Sequence, residues 1–202
     1  MAKLKISTMT GKLNNIQAIN TNPLTNEFCK KMHASSNSNI ICTQCYSCSM
    51  LKAYRRNCVP AFENNSNILN AEMTPEMIPK FSKKNDIVRI HAHGELLSMK
   101  HLLNLVDIIK ATPDKTFSLY TKRIDLVDLV FDVLDKPDNL ILVYSNPTID
   151  KPLIEIPKHF DKIFNVMKNT NLDKINCGGK NCDNCRNCYD KTKDNIIYEM
   201  IK

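Results

Sequence analysis

Nine of the 202 residues are cysteines, and the spacing of seven of them constrains the fold more than any other feature of the chain. Cys42-Thr43-Gln44-Cys45-Tyr46-Ser47-Cys48 sets three thiols at two-residue intervals, and Cys177-x4-Cys182-x2-Cys185-x2-Cys188 repeats that spacing near the other end. A backbone that doubles back every third residue turns each thiolate inward onto one centre. Three cysteines spaced in this way suit a [4Fe-4S] cubane, whose irons need ligands from several directions, whereas structural zinc usually draws two Cys-x2-Cys pairs from separate knuckles. One or two [4Fe-4S] clusters are expected on this basis, with a pair of zinc knuckles that staple loops as the alternative. The C-terminal set supplies four ligands, and Gly178 and Gly179 permit the tight turn that brings Cys177 back to the other three. The N-terminal set is one short: Cys29 or Cys58 completes it, or one iron stays open to a substrate, which would imply catalysis.

The compartment decides whether such thiols bind metal or pair. The N-terminal residues Met1 to Ile6 contain no apolar run of signal-peptide length, and no later segment is apolar over the length of a membrane span. A cytoplasmic protein with no membrane partner is expected, and in a reducing compartment clustered thiols hold metal rather than disulfides. A hydrophobic share of 43% with 24% charged residues excludes a disordered chain. The net charge of +7 points to a polyanionic partner such as nucleic acid, met through a basic surface.

Between the two cysteine runs the pattern alternates. Leu4 to Ile6 reads as an edge strand followed by an Asn-rich loop, and Ile40-Ile41 as a very short strand delivering the first cysteine loop. Helix formers occupy Ser49 to Asn57, and Pro60, Pro75 and Pro79 divide the next stretch into short helices near residues 61–71 and 75–81. Ile87 to His93 alternates apolar and polar residues as a strand does. Residues 95–110 carry Leu96, Met99, Leu102, Leu103, Val106 and Ile109 at helical spacing. Thr116 to Tyr120, Leu140 to Tyr144 and Lys162 to Val166 read as further strands, with a helix over Ile124 to Leu134. Strands alternating with helices predict an α/β fold, a partial barrel or an open, mostly parallel sheet of four or five strands. A main domain over residues 1–170 would carry the first cysteine loop, and a cysteine-rich segment over 171–202 would pack on it.

In parallel sheets ligands bind beyond the carboxyl ends of the strands. Three successive exits are polar here: His93-Gly94-Glu95, Thr121-Lys122-Arg123 and Ser145-Asn146. Period-two alternation places Arg89, His91 and His93 on one face, where three polar side chains would line a wet cavity. Gly94 and Glu95 could present an exposed backbone and a carboxylate to a ligand's amine, and Lys122 and Arg123 stand where a phosphate or carboxylate could be held. No Ser-His-Asp arrangement, phosphate-binding glycine loop or zinc-protease motif is present.

Taken in order, Cys45-Tyr46-Ser47 with Lys52, Val88-Arg89-Ile90-His91-Ala92-His93-Gly94-Glu95, Tyr120-Thr121-Lys122-Arg123 and Cys182-Asp183-Asn184-Cys185-Arg186-Asn187-Cys188-Tyr189 resemble the phage "gene product eighty-eight" family. That family in turn is similar to a reduced radical S-adenosylmethionine protein, which places a three-cysteine loop after the first strand of a partial barrel. The resemblance implies that Cys42, Cys45 and Cys48 hold a cluster, that Gly94 and Glu95 meet the amine of S-adenosylmethionine, and that a phage-encoded chain works in the host cytoplasm. Two departures stand out: radical enzymes space the loop Cys-x3-Cys-x2-Cys, and His93 stands where their first glycine would be.

Overall fold

The computed structural model describes residues 3–168, 174–178 and 181–201. Seven strands form one open sheet: β1 (Ile6–Thr8), β2 (Gln17–Ile19), β3 (Ile87–Ile90), β4 (Thr116–Thr121), β5 (Leu140–Ser145), β6 (Lys162–Met167) and β7 (Ile196–Met200). They lie side by side in sequence order, β1 antiparallel to β2 and every later pair parallel. Among the described residues six α-helices accompany them: α1 (Glu27–His33), α2 (Tyr46–Lys52), α3 (Val59–Leu69), α4 (Met99–Lys110), α5 (Ile124–Phe131) and α6 (Cys182–Cys185). The α/β expectation holds in its open-sheet form.

The alternation of side chains along each strand divides the core into two layers. Val88 and Ile90 of β3, Phe117 and Leu119 of β4 and Leu140 and Leu142 of β5 face α4 and α5, where Leu102, Leu105, Val106, Ile109, Val127 and Val130 meet them. The intervening residues Ile87, Tyr120, Ile141 and Val143 face the other way and are covered by Ile16, Cys188 and Tyr189. β5 reads Leu-Ile-Leu-Val-Tyr because both of its faces are buried, as expected of a central parallel strand.

Seven strands replace the expected four or five. β2 is a three-residue strand inside the Asn-rich stretch taken for loop, and its pairing with β3 supplies what its own sequence lacks. Asn65 of α3, fully buried, exchanges hydrogen bonds with Lys5 (2.7 and 2.8 Å) and donates to the carbonyl of Asn20 (2.9 Å), so a single amide ties α3 to the first two strands. β7 belongs to the C-terminal segment and pairs with β6 over five residues, so that segment completes the sheet as well as covering it. Ile40 makes one bridge to Thr148 and leads into a turn of 3-10 helix over Ile41–Gln44.

The largest departure is at β3, which ends at Ile90. His91 takes a left-handed backbone conformation, φ 58°, which rotates the chain out of the strand's alternation. Arg89 therefore stays on the inner face, while His91 packs edge-on against His101 of α4 (5.3 Å) and His93 lodges between Tyr46 and Phe62. Both histidines are buried, and the three side chains line no common cavity.

Candidate metal centres

The first cysteine loop caps the carboxyl ends of the central strands. Beyond β3, Tyr46 donates its hydroxyl to the Ala92 carbonyl (2.8 Å) and Ser47 Oγ meets His93 Nδ1 (2.8 Å). Beyond β5, Ile41 N–H bonds to the Pro147 carbonyl (2.8 Å). Asn26 caps α1 by accepting from Cys29 N–H (3.2 Å) while its amide donates to the Glu95 carbonyl (3.0 Å), which sets Cys29 beside the same exits. Cys29, Cys42, Cys45 and Cys48 consequently act on one another electrostatically. Cys58 takes no part: it packs beside Met50, Leu51 and Phe62.

The environment sorts these thiols. Cys45 is pulled down to about 5, chiefly by a hydrogen bond from Cys48, against desolvation, with help from the Cys48 and Ser47 amides that open α2 and from Lys122. Cys48 moves up as the donor of that bond. Burial raises Cys29 and Cys42. Lys122 donates to Ser145 Oγ (3.0 Å), and although burial opposes its charge, Cys42, Glu95, Cys29 and Cys45 together hold its pKa above the ordinary value. A cation thus stands among three thiols and a carboxylate at the exit of β4.

Glu95 is 4% exposed and already employed. Its carboxylate accepts from Leu96 N–H (2.8 Å), Lys122 N–H (2.8 Å) and Thr121 Oγ1, which joins the exit of β3 to that of β4. Burial raises its pKa despite these donors. Gly94 (φ 99°) lies against Thr21, whose carbonyl oxygen would be 2.6 Å from an added Cβ. Arg123 is engaged elsewhere, paired with Asp125 (2.6 Å) and set over the ring of Phe28 (5.1 Å).

The second set lies on the inner face of the sheet. Cys177 N–H bonds to the Tyr198 carbonyl of β7 (3.0 Å), α6 carries Cys182 and Cys185, and Cys188 with Tyr189 packs onto β4 and β5. Arg186, left-handed at the end of α6, is held by both oxygens of Asp86 at 2.7 Å. The four thiols line one cavity of about 20 Å³ together with Lys12, Asn176 and Tyr189. Gly178 is in that lining, while Gly179 lies outside the described residues.

Lys12 donates to Cys177 Sγ (3.0 Å) and pairs with Glu199 (2.5 Å). The guanidinium of Arg89 lies 3.1 Å from the centroid of the Tyr120 ring and acts on Cys182 and Cys188. Its Nε is buried without a partner, and the same side chain interacts with the buried Tyr189 hydroxyl. Burial pushes the Cys188 thiol up to about 11. Lys12 was not among the residues singled out from the sequence, and Arg89 was expected to line a wet cavity with His91 and His93, not to face cysteines. Their only signal is indirect, since Lys12 lies far from any cysteine along the chain and Arg89 sits on a strand.

As the side chains stand, no group of three or more His, Cys, Asp or Glu among the described residues is drawn to metal-holding geometry. No described helix is long and apolar enough to cross a membrane. A family model described as gene product 88 matches residues 2–174, a span that takes in the first cysteine set and ends before Cys177. No curated protein and no solved structure matches the chain.

Proposed function

The chain belongs to the gene product 88 family, and we propose that it is an iron-sulfur protein whose two thiol sets each hold a [4Fe-4S] cluster and whose function is redox chemistry. The observation that carries this reading is electrostatic: Lys122 stands among Cys29, Cys42 and Cys45, and Lys12 with Arg89 stands over Cys177, Cys182 and Cys188. A partly buried cation facing several thiols favours negative charge on them, beside that of Glu95 at the first set and Glu199 at the second. Thiolates bound to a metal supply that charge, and the donors here match a cluster in kind and number. Such a group provides one-electron transfer. The chain's own residues hold it, exclude water from the second set with Tyr120 and Tyr189, and tune it through the three cations.

S-adenosylmethionine fits less well. Gly94 is packed against Thr21, and the Glu95 carboxylate is spent on joining two strand exits. We accordingly assign no radical step, and reduced protein is expected to leave S-adenosylmethionine intact.

The test is elemental analysis of protein purified without oxygen. Iron and sulfide are expected, with a brown colour and broad absorbance near roughly 400 nm, typical of thiolate-bound clusters, that dithionite bleaches. Cys29→Ser should lose part of the iron and Cys58→Ser none. A colourless protein containing zinc would replace the redox reading with stapled loops, and a protein containing neither metal would end both.

A further inference from the structure

The charge of the chain is not spread evenly. From Phe28 to Phe62 there is no Asp or Glu, and Lys30, Lys31, Lys52, Arg55 and Arg56 give this stretch five of the seven net positive charges of the whole protein. Lys30 is paired with Glu27, whereas among the described residues no carboxylate lies in ion-pair contact with Lys31, Lys52, Arg55 or Arg56. Residues 52–57 are all exposed. Two aromatic rings stand among these cations with their faces in water: Tyr54 is 78% exposed and Tyr46 is 62% exposed. Tyr46 is fixed at its hydroxyl end by the Ala92 carbonyl and at its ring edge by His93, and Arg55 acts on that same His93, so ring and cation share one surface.

Tyr54 does not serve the core, the ring face of Tyr46 is left open by the bond at its hydroxyl, and Arg55 and Arg56 meet no carboxylate among the described residues, Arg56 donating through Nε to the Lys52 carbonyl (2.7 Å) with the rest of its guanidinium free to meet a ligand. The combination is that of a groove for single strands: guanidinium and ammonium groups follow the phosphates while bases stack on the rings. A duplex would use the cations but hide the base faces that the rings require. A membrane surface would engage an amphipathic helix, and residues 53–58 form a loop and a short 3-10 turn instead. We propose that the surface formed by Tyr46, Lys52, Tyr54, Arg55 and Arg56, at the mouth of the first thiol set, binds single-stranded nucleic acid without sequence preference. The proposal does not depend on which metal the thiols hold.

Fluorescence anisotropy of the full-length protein with a labelled oligothymidylate of about 15 nucleotides, a length that fills the usual site sizes, tests it over a range of salt concentrations. Binding is expected to weaken steeply with salt, and Arg55→Ala with Arg56→Ala to reduce the log-log slope by about 1.4, at about 0.7 per phosphate contact. Tyr54→Ala should weaken binding roughly tenfold with little change of slope, and Tyr54→Phe should restore it, because a stacked ring contributes through its face. These positions are exposed, so unchanged circular dichroism is expected of every variant. A failure to bind at low salt would overturn the proposal. So would equal affinity for duplex with no effect of Tyr54→Ala, which would reduce the surface to a diffuse basic patch.

Discussion

Several residues of the site do work that their type alone would not suggest. Cys45 is pulled down chiefly because Cys48, one turn on, donates a hydrogen bond to it, with the amides that open α2 and Lys122 adding to the effect. His91 and His93 are held neutral by burial, which lowers them to about 3 and about 4 from an ordinary value near 6.5. A base whose folded pKa is depressed adds stability above its unfolded pKa and loses it as the pH falls toward the folded one. Each imidazole should therefore cost about 2 kcal/mol between pH 7 and pH 5, since only the unfolded chain takes up the proton there. His101, buried against His91, is lowered in the same way; urea unfolding at the two pH values checks this, and His93→Gln should shrink the pH dependence by about a third. The histidines were legible as buried-or-functional candidates from their place on a strand, but their environments were not, because one left-handed residue at position 91 sends them to different neighbours.

Among the elements, the exit of β3 carries the most structure per residue. Gly94 brings its backbone onto Thr21 beyond β2, Glu95 reaches across to β4, and Tyr46 and Ser47 bind the Ala92-His93 step from above. Gly94→Ala combines a positive φ with a clash against backbone, and a loss of about 2–4 kcal/mol is expected. Gly11→Ala is the control: its φ is also positive, at 65°, but nothing lies within 4 Å of the added atom, and a loss of about 1 kcal/mol is expected. Equal urea midpoints for the two variants would show that the close approach to Thr21 carries no weight. The helices and long strands were readable from periodicity, with ends shifted by a few residues; α4, for example, starts at Met99 because Ser98 caps it, three residues after the first apolar position of the pattern. β1 and β2, three residues each, were barely readable, since so short a strand owes its existence to the neighbour it pairs with and to Asn65.

At the scale of the whole molecule, the C-terminal segment is the inner wall of the sheet. Cys188, Tyr189 and Ile197 cover Ile87, Tyr120, Ile141 and Val143, so a chain ending at Lys168 would leave that face bare. Such a chain is expected to aggregate or to bind a hydrophobic dye such as anilinonaphthalene sulfonate; a soluble truncated protein with an unchanged urea midpoint would show that residues 174–201 are an appendage. The alternation of apolar residues was enough to determine an α/β sheet, and cysteine spacing was enough to determine two groups of thiols, because both follow from contacts local to one turn or one strand. Tertiary structure alone decided that Cys29 and not Cys58 joins the first group, that Lys122, Lys12 and Arg89 face the thiols, and that one group lies at the carboxyl ends of the strands and the other on the inner face. Those outcomes depend on residues far apart in the chain being brought within a few ångströms, and burial and charge take their values only once the distances exist.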